Sequence, residues 1–138
     1  MFDELNKYQN NGHFFFKQGD NLREKSKDVP NLPGVYYIIR LAKGKPELVY
    51  IGKAGSIEQD GNFKNQGLHN RLNNKQEGLK RQDFFTKKCI EENIDALDIY
   101  WFVTFDHINN DLPGYIEGLL LQIYFEQFGN LPEWNKSF

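Results

Sequence analysis

The chain has 138 residues, 39% of them hydrophobic and 26% charged, which suits one domain with one core and excludes a disordered polypeptide. No apolar run is long enough to cross a bilayer, the opening MFDELNKYQNN lacks the basic start and apolar stretch of a secretion signal, and the single cysteine, Cys89, excludes an internal disulfide. The net charge of -2 conceals an asymmetry: residues 40–88 carry 11 Lys/Arg against 5 Asp/Glu, residues 89–138 carry 1 against 9, and residues 1–30 carry five of each.

Residues 1–30 read as an N-terminal extension, with a short helix near residues 2–9 and the run Phe14, Phe15, Phe16 docking onto the core. Pro33-Gly34 is a turn signal, and residues 35–41 are β-branched and aromatic, so a strand is expected there. A loop over 42–47 and a second strand over 48–53 complete a β-hairpin. Residues 54–66 are polar and glycine-bearing and read as a long loop. A helix is expected from Leu68, with Leu68, Leu72 and Leu79 on one face, and a second over 83–93. The apolar run 97–105 predicts a third strand buried on both faces. Pro113 then opens a last helix and Gly129 closes it. The expected order is β-β-α-α-β-α, giving an α/β or α+β sandwich whose three-stranded sheet is flanked by helices.

Side chains alternate along strands, so Tyr36 and Tyr50 share a face if the hairpin pairs even numbers with even. Two adjacent phenols can handle protons, although a phenol ionises near pH 10 unless a cation or metal assists it. Gly52 at a strand end marks a close backbone approach or a bulge, and Lys53 after it is placed to meet a phosphate. Arg71 and Lys75 lie on the basic helix, where a guanidinium can grip a phosphate bidentately. Taken singly, each is an ordinary packing or surface residue. Glu117 is more informative, because it sits in PGYIEGLLLQIYF, a helix apolar on nearly every side. A carboxylate there needs a cation, a metal or donors to offset its desolvation. Mg²⁺ commonly takes one carboxylate plus waters and a phosphate oxygen. No zinc-spaced Cys/His cluster and no phosphate-cradling glycine loop with its Lys is present.

These motifs resemble the GIY-YIG nuclease family. GVY at 34–36 is similar to the GIY element and YIG at 50–52 is that element in full, while Arg71, Glu117 and Asn135 resemble the family's arginine, glutamate and C-terminal asparagine. The likeness spans residues 32–136. It implies a central three-stranded antiparallel sheet in a domain over 31–138, and DNA phosphodiester hydrolysis with one divalent metal, Mg²⁺ or Mn²⁺. Glu117 would hold the metal, and Tyr36 would take the proton from water. Tyr50 would position the water or the phosphate, with the two tyrosines free to exchange roles. Lys53 and Arg71 would neutralise the phosphate, while Gly52, Lys75 and Asn135 would bind substrate or shape the site. The stretch between Gly52 and Arg71 is longer than the family pattern, which leaves Arg81 as the alternative arginine.

The leading expectation is a cytoplasmic endonuclease of the repair, recombination, restriction or mobile-element kind, acting on DNA, with RNA sharing the same phosphate chemistry. The alternative is a non-cleaving nucleic-acid-binding or regulatory module with the same fold, a reading favoured by the pI of about 5.9. These 138 residues include no separate DNA-binding domain, so target choice is expected to come from the 54–66 loop, from residues 1–30, from self-association or from a protein partner.

Overall fold

A computed structural model describes residues 1–64 and 67–138. After a 3-10 turn over Asp3–Lys7 come β1 (Asn11–Phe16), α1 (Leu22–Lys25), β2 (Gly34–Ala42) and β3 (Lys45–Ala54). Two small hairpins follow, β4 (Ser56–Ile57) with β5 (Phe63–Lys64) and, beyond α2 (Leu68–Leu72), β6 (Lys75–Gln76) with β7 (Leu79–Lys80). The chain ends with α3 (Arg81–Glu91), β8 (Ala96–Val103) and α4 (Pro113–Phe128). Among the described residues no helix is long and apolar enough to cross a membrane.

The main sheet is antiparallel throughout, in the order β1-β8-β2-β3. It therefore has four strands, not the expected three. The additional one is β1, drawn from the segment read as an extension: NGHFFF pairs along β8 from Asn11 opposite Phe102 to Phe16 opposite Leu97. Of its phenylalanines Phe16 is fully buried and Phe14 packs half-buried against the core, as part of the sheet, while Phe15 is exposed, contrary to expectation.

Helices cover both faces. Tyr36, Ile38, Leu97, Ile99 and Trp101 pack with Leu68 and Leu72 of α2 and Phe84, Phe85 and Cys89 of α3. Val35 and Ile51 on the reverse pack with Ile116, Leu120 and Leu121 of α4 and with Leu5 of the 3-10 turn. Helix α4 begins at Pro113, whose missing N–H costs nothing at a helix start, and ends on Gly129 at φ 75°, the left-handed cap that glycine adopts without strain.

Three local expectations are corrected. Part of the 54–66 loop is the β4-β5 hairpin, residues 65 and 66 lying outside the described residues. The helix from Leu68 stops at Leu72, because Glu77 (φ 49°) and Gly78 (φ 81°) turn the chain into the β6-β7 hairpin and leave Leu79 exposed. Helix α3 starts at Arg81, two residues earlier than expected.

Candidate functional site

Strand β3 is an edge of the sheet, and the residues singled out in the sequence gather around its C-terminal half. Tyr36 lies opposite Gly52, and Tyr50 opposite Ile38, so even pairs with even before the bulge at Ile38/Ile39. Both rings therefore lie on the α2-α3 face, with centroids 6.0 Å apart. Gly52 makes this possible: a Cβ there would stand 2.5 Å from Tyr36 Cζ, 2.6 Å from its hydroxyl and 2.8 Å from Tyr50 Cε2. Any side chain at 52 would occupy the space of the two rings.

The tyrosines are not equivalent. Tyr36 has no exposed surface, and its hydroxyl accepts a 2.5 Å hydrogen bond from Arg81 Nη1. Tyr50 is only half-buried. Burial pushes the Tyr50 phenol up and adjacent Tyr36 adds to this, while Arg81 and Arg71 draw it down and Glu117 opposes them. Tyr50 thus stands within electrostatic reach of a second tyrosine, two guanidinium groups and a carboxylate.

That carboxylate comes from the other face of the sheet. Lys53 is opposite Val35 and its side chain crosses toward α4, where Nζ would lie 3.6 Å from a Cβ built on Gly114. Glu117 is one turn further along α4, which places it near the same ammonium. Burial raises the Glu117 carboxyl above the ordinary carboxylate range, and Lys53 and then Arg71 partly offset this. The cluster therefore wraps around the β3 edge, with phenols on one side, a carboxylate on the other and Arg71, exposed on α2, within reach of both.

Among the described residues Glu117 has no ion-pair partner within 4.0 Å, and no group of three or more His, Cys, Asp and Glu side chains converges. A lone, half-buried carboxylate does not fit zinc, which takes three or four protein ligands. It does fit Mg²⁺ or Mn²⁺, which keep their waters and take further oxygens from a phosphate. Glu117 would hold such an ion, and the ion would supply Lewis acidity at phosphorus.

Asn135 braces the site. Its side chain accepts from Ile51 N at 3.0 Å and donates to Ile51 O at 2.9 Å, while Trp134 N donates to Val49 O at 2.8 Å. The C-terminal tail thereby pairs with the outer edge of β3 directly before Gly52 and Lys53. Asn135→Ala is expected to lose about 1–3 kcal/mol, the net worth of two hydrogen bonds. Urea unfolding checks this, and a loss below about 0.3 kcal/mol would show that the tail holds without them.

Lys75 lies directly opposite Lys80 on the β6-β7 hairpin, and neither has an ion-pair partner among the described residues. Like charges facing each other across strands cost stability, and both side chains are exposed. Lys80 was expected beside Arg71 and Lys75 on the basic helix, and the turn at Gly78 sets it across a hairpin from Lys75 instead. The basic segment is also less free than its count suggests: Arg40 bonds Glu92 at 2.5 Å, Glu133 at 2.7 Å and Glu47 at 3.3 Å, and Arg81 is buried. The β4-β5 tip, with Glu58 and Asp60, is acidic.

None of the candidate residues lines the cavity of about 660 Å³ between Phe2, Tyr37, Leu48, Tyr124 and Phe128 on the α4 face. No family model, curated protein or solved structure matches the chain.

Proposed function

We propose that the chain is a metal-dependent nuclease that hydrolyses nucleic-acid phosphodiester bonds, with DNA as the first substrate to test. The observation that carries this reading is the convergence at one sheet edge of two phenols, Lys53, Arg71 and an unpaired, half-buried Glu117. Hydrolysis at phosphorus needs a proton acceptor for water, cations for the phosphate and a ligand for a divalent ion. Each requirement has a residue here. The GIY-YIG resemblance of the GVY and YIG elements supports the same chemistry.

The exposures exchange the roles expected for the tyrosines. Tyr50 reaches solvent and takes the proton, while buried Tyr36 positions it. Lys53 and Arg71 hold the phosphate and neutralise charge developing on it. Lys75 and Lys80 extend the grip along the backbone. Further affinity and target choice come from a protein partner or from a second copy of the chain.

The test is incubation of purified protein with supercoiled plasmid, branched DNA and single-stranded RNA, each with Mg²⁺, Mn²⁺ or EDTA. Metal-dependent cutting supports the reading, and the favoured polymer names the substrate. Tight binding without cutting in any metal would replace it with the non-cleaving module.

Two variants sharpen the assignment. Arg71→Ala is expected to lower kcat about 10²-fold, as for removal of one preorganised cationic donor. Its unfolding free energy should stay within about 0.5 kcal/mol because the side chain is exposed. Normal cutting by Arg71→Ala would transfer its role to another cation. Lys75→Ala with Lys80→Ala should weaken DNA binding uniformly across sequences and reduce the slope of log K against log salt by about 1 to 2. An unchanged slope would remove the hairpin from the interface.

A further inference from the structure

Arg81 opens α3 and is 1% exposed. An arginine is charged at every working pH, and a cation buried this deeply normally faces a carboxylate. Here none lies within 4.0 Å among the described residues. Nη1 donates to Tyr36 Oη, Nε is buried with no acceptor, and the guanidinium carbon lies 5.6 Å from the Tyr36 ring and 6.0 Å from the Tyr50 ring. The fold thus holds an unneutralised positive charge directly behind two phenols. Loss of the fork would also release Tyr36, whose ring packs against Tyr50.

We infer that Arg81 is a positioning residue that fixes Tyr36 and, through its unbalanced charge, favours the anionic form of Tyr50, the phenol that reaches solvent. The inference rests on the nuclease reading only for the use made of that anion. Guanidinium groups cannot accept hydrogen bonds, so the Tyr36 oxygen is the acceptor and its own hydrogen points away from Arg81. Tyr50 meets Arg81 from α3, Arg71 from α2, Tyr36 from β2 and Glu117 from α4. Arg81 and Arg71 favour charge on Tyr50, while Tyr36 and Glu117 oppose it. Of the two cations, Arg71 is exposed and screened by solvent, whereas Arg81 acts through a protein interior. Arg81 is therefore a second arginine with a separate task rather than a replacement for Arg71.

The test places a fluorinated, more acidic tyrosine at position 50 of the full chain and follows its ionisation by fluorine NMR. Arg81→Met and Arg81→Gln, both uncharged, are each expected to move that titration up by about one pH unit or more, a tenfold change in the equilibrium. Arg81→Lys should recover at least half of the shift. Circular dichroism identifies which variants fold, and either uncharged variant suffices. A folded uncharged variant that titrates like wild type overturns the inference, as does an Arg81→Lys protein displaced as far as the uncharged ones. With active enzyme, the rising limb of kcat against pH should move the same way while KM for DNA stays within about twofold. If wild-type protein cuts nothing, the nuclease reading fails, yet the NMR titration still decides the role of Arg81.

Discussion

Glu117→Gln should eliminate metal-dependent cutting while leaving the protein folded. Loss of a metal that supplies several kcal/mol of transition-state stabilisation corresponds to a rate lower by about 10³ or more. The stability effect has the opposite sign. Burial raises the Glu117 carboxyl above its ordinary value of 4.5, so the folded state prefers it protonated. Its stabilising contribution is complete below that value and is lost as pH rises through the raised folded value. Glutamine has no such transition. The variant should therefore melt at or above the wild-type temperature at pH 7, with less loss of stability between pH 4 and 7. Mg²⁺ should raise the wild-type melting temperature and leave the variant unchanged, because only the form with the ligand gains from mass action. Undiminished cutting by Glu117→Gln would remove the metal from this position, and a large drop in its melting temperature would recast Glu117 as structural.

Gly52→Ala carries the second large effect. The new methyl would lie 2.5 Å from Tyr36 Cζ and 2.8 Å from Tyr50 Cε2, distances that real carbon atoms do not tolerate. Tyr36 cannot swing away, since it is fully buried and bonded to Arg81, so the strand or both rings must move. Overpacking of this kind costs about 1–3 kcal/mol and lowers the melting temperature by several degrees. Activity should fall further than stability, because displacement of a reacting group by about 1 Å can cost about 10²-fold. Pairing the substitution with Tyr36→Phe isolates the cause: removal of the hydroxyl 2.6 Å from the methyl should recover part of the stability and none of the Tyr36–Arg81 bond. Equal melting temperatures for wild type and Gly52→Ala would show that β3 shifts freely at this point.

The hairpin and α4 were legible because their signals are local. Side-chain alternation put Tyr36 and Tyr50 on one face on the condition that even pairs with even, which the hairpin meets, and Pro113 and Gly129 bracket α4 through backbone chemistry. Strand β1 was not legible as a strand. NGHFFF has no polar-apolar alternation, and its partner β8 is far away in sequence, so nothing nearby announces the pairing. The spacing of Leu68, Leu72 and Leu79 imitated one helix face, and the turn at Gly78 outweighed it. Glu117 stood out because a carboxylate in an apolar helix conflicts with its surroundings. Arg81 was legible only as the alternative to Arg71, because its burial depends on how the start of α3 meets the two tyrosines, a tertiary fact with no trace in RQDFF.

The strand order also dictates when the molecule can be completed during synthesis. Strand β1 is made before β2 and β3, yet among the described residues its neighbour in the sheet is β8, which ends at Val103. Until then its phenylalanines have no sheet to join, and closing so long a loop makes for slow, late folding. Glu117 and the Asn135 brace follow later still. A nascent chain therefore carries Lys53, Arg71 and the β6-β7 lysines well before Glu117 and Asn135, so the candidate site is assembled only once α4 and the segment after it have been made.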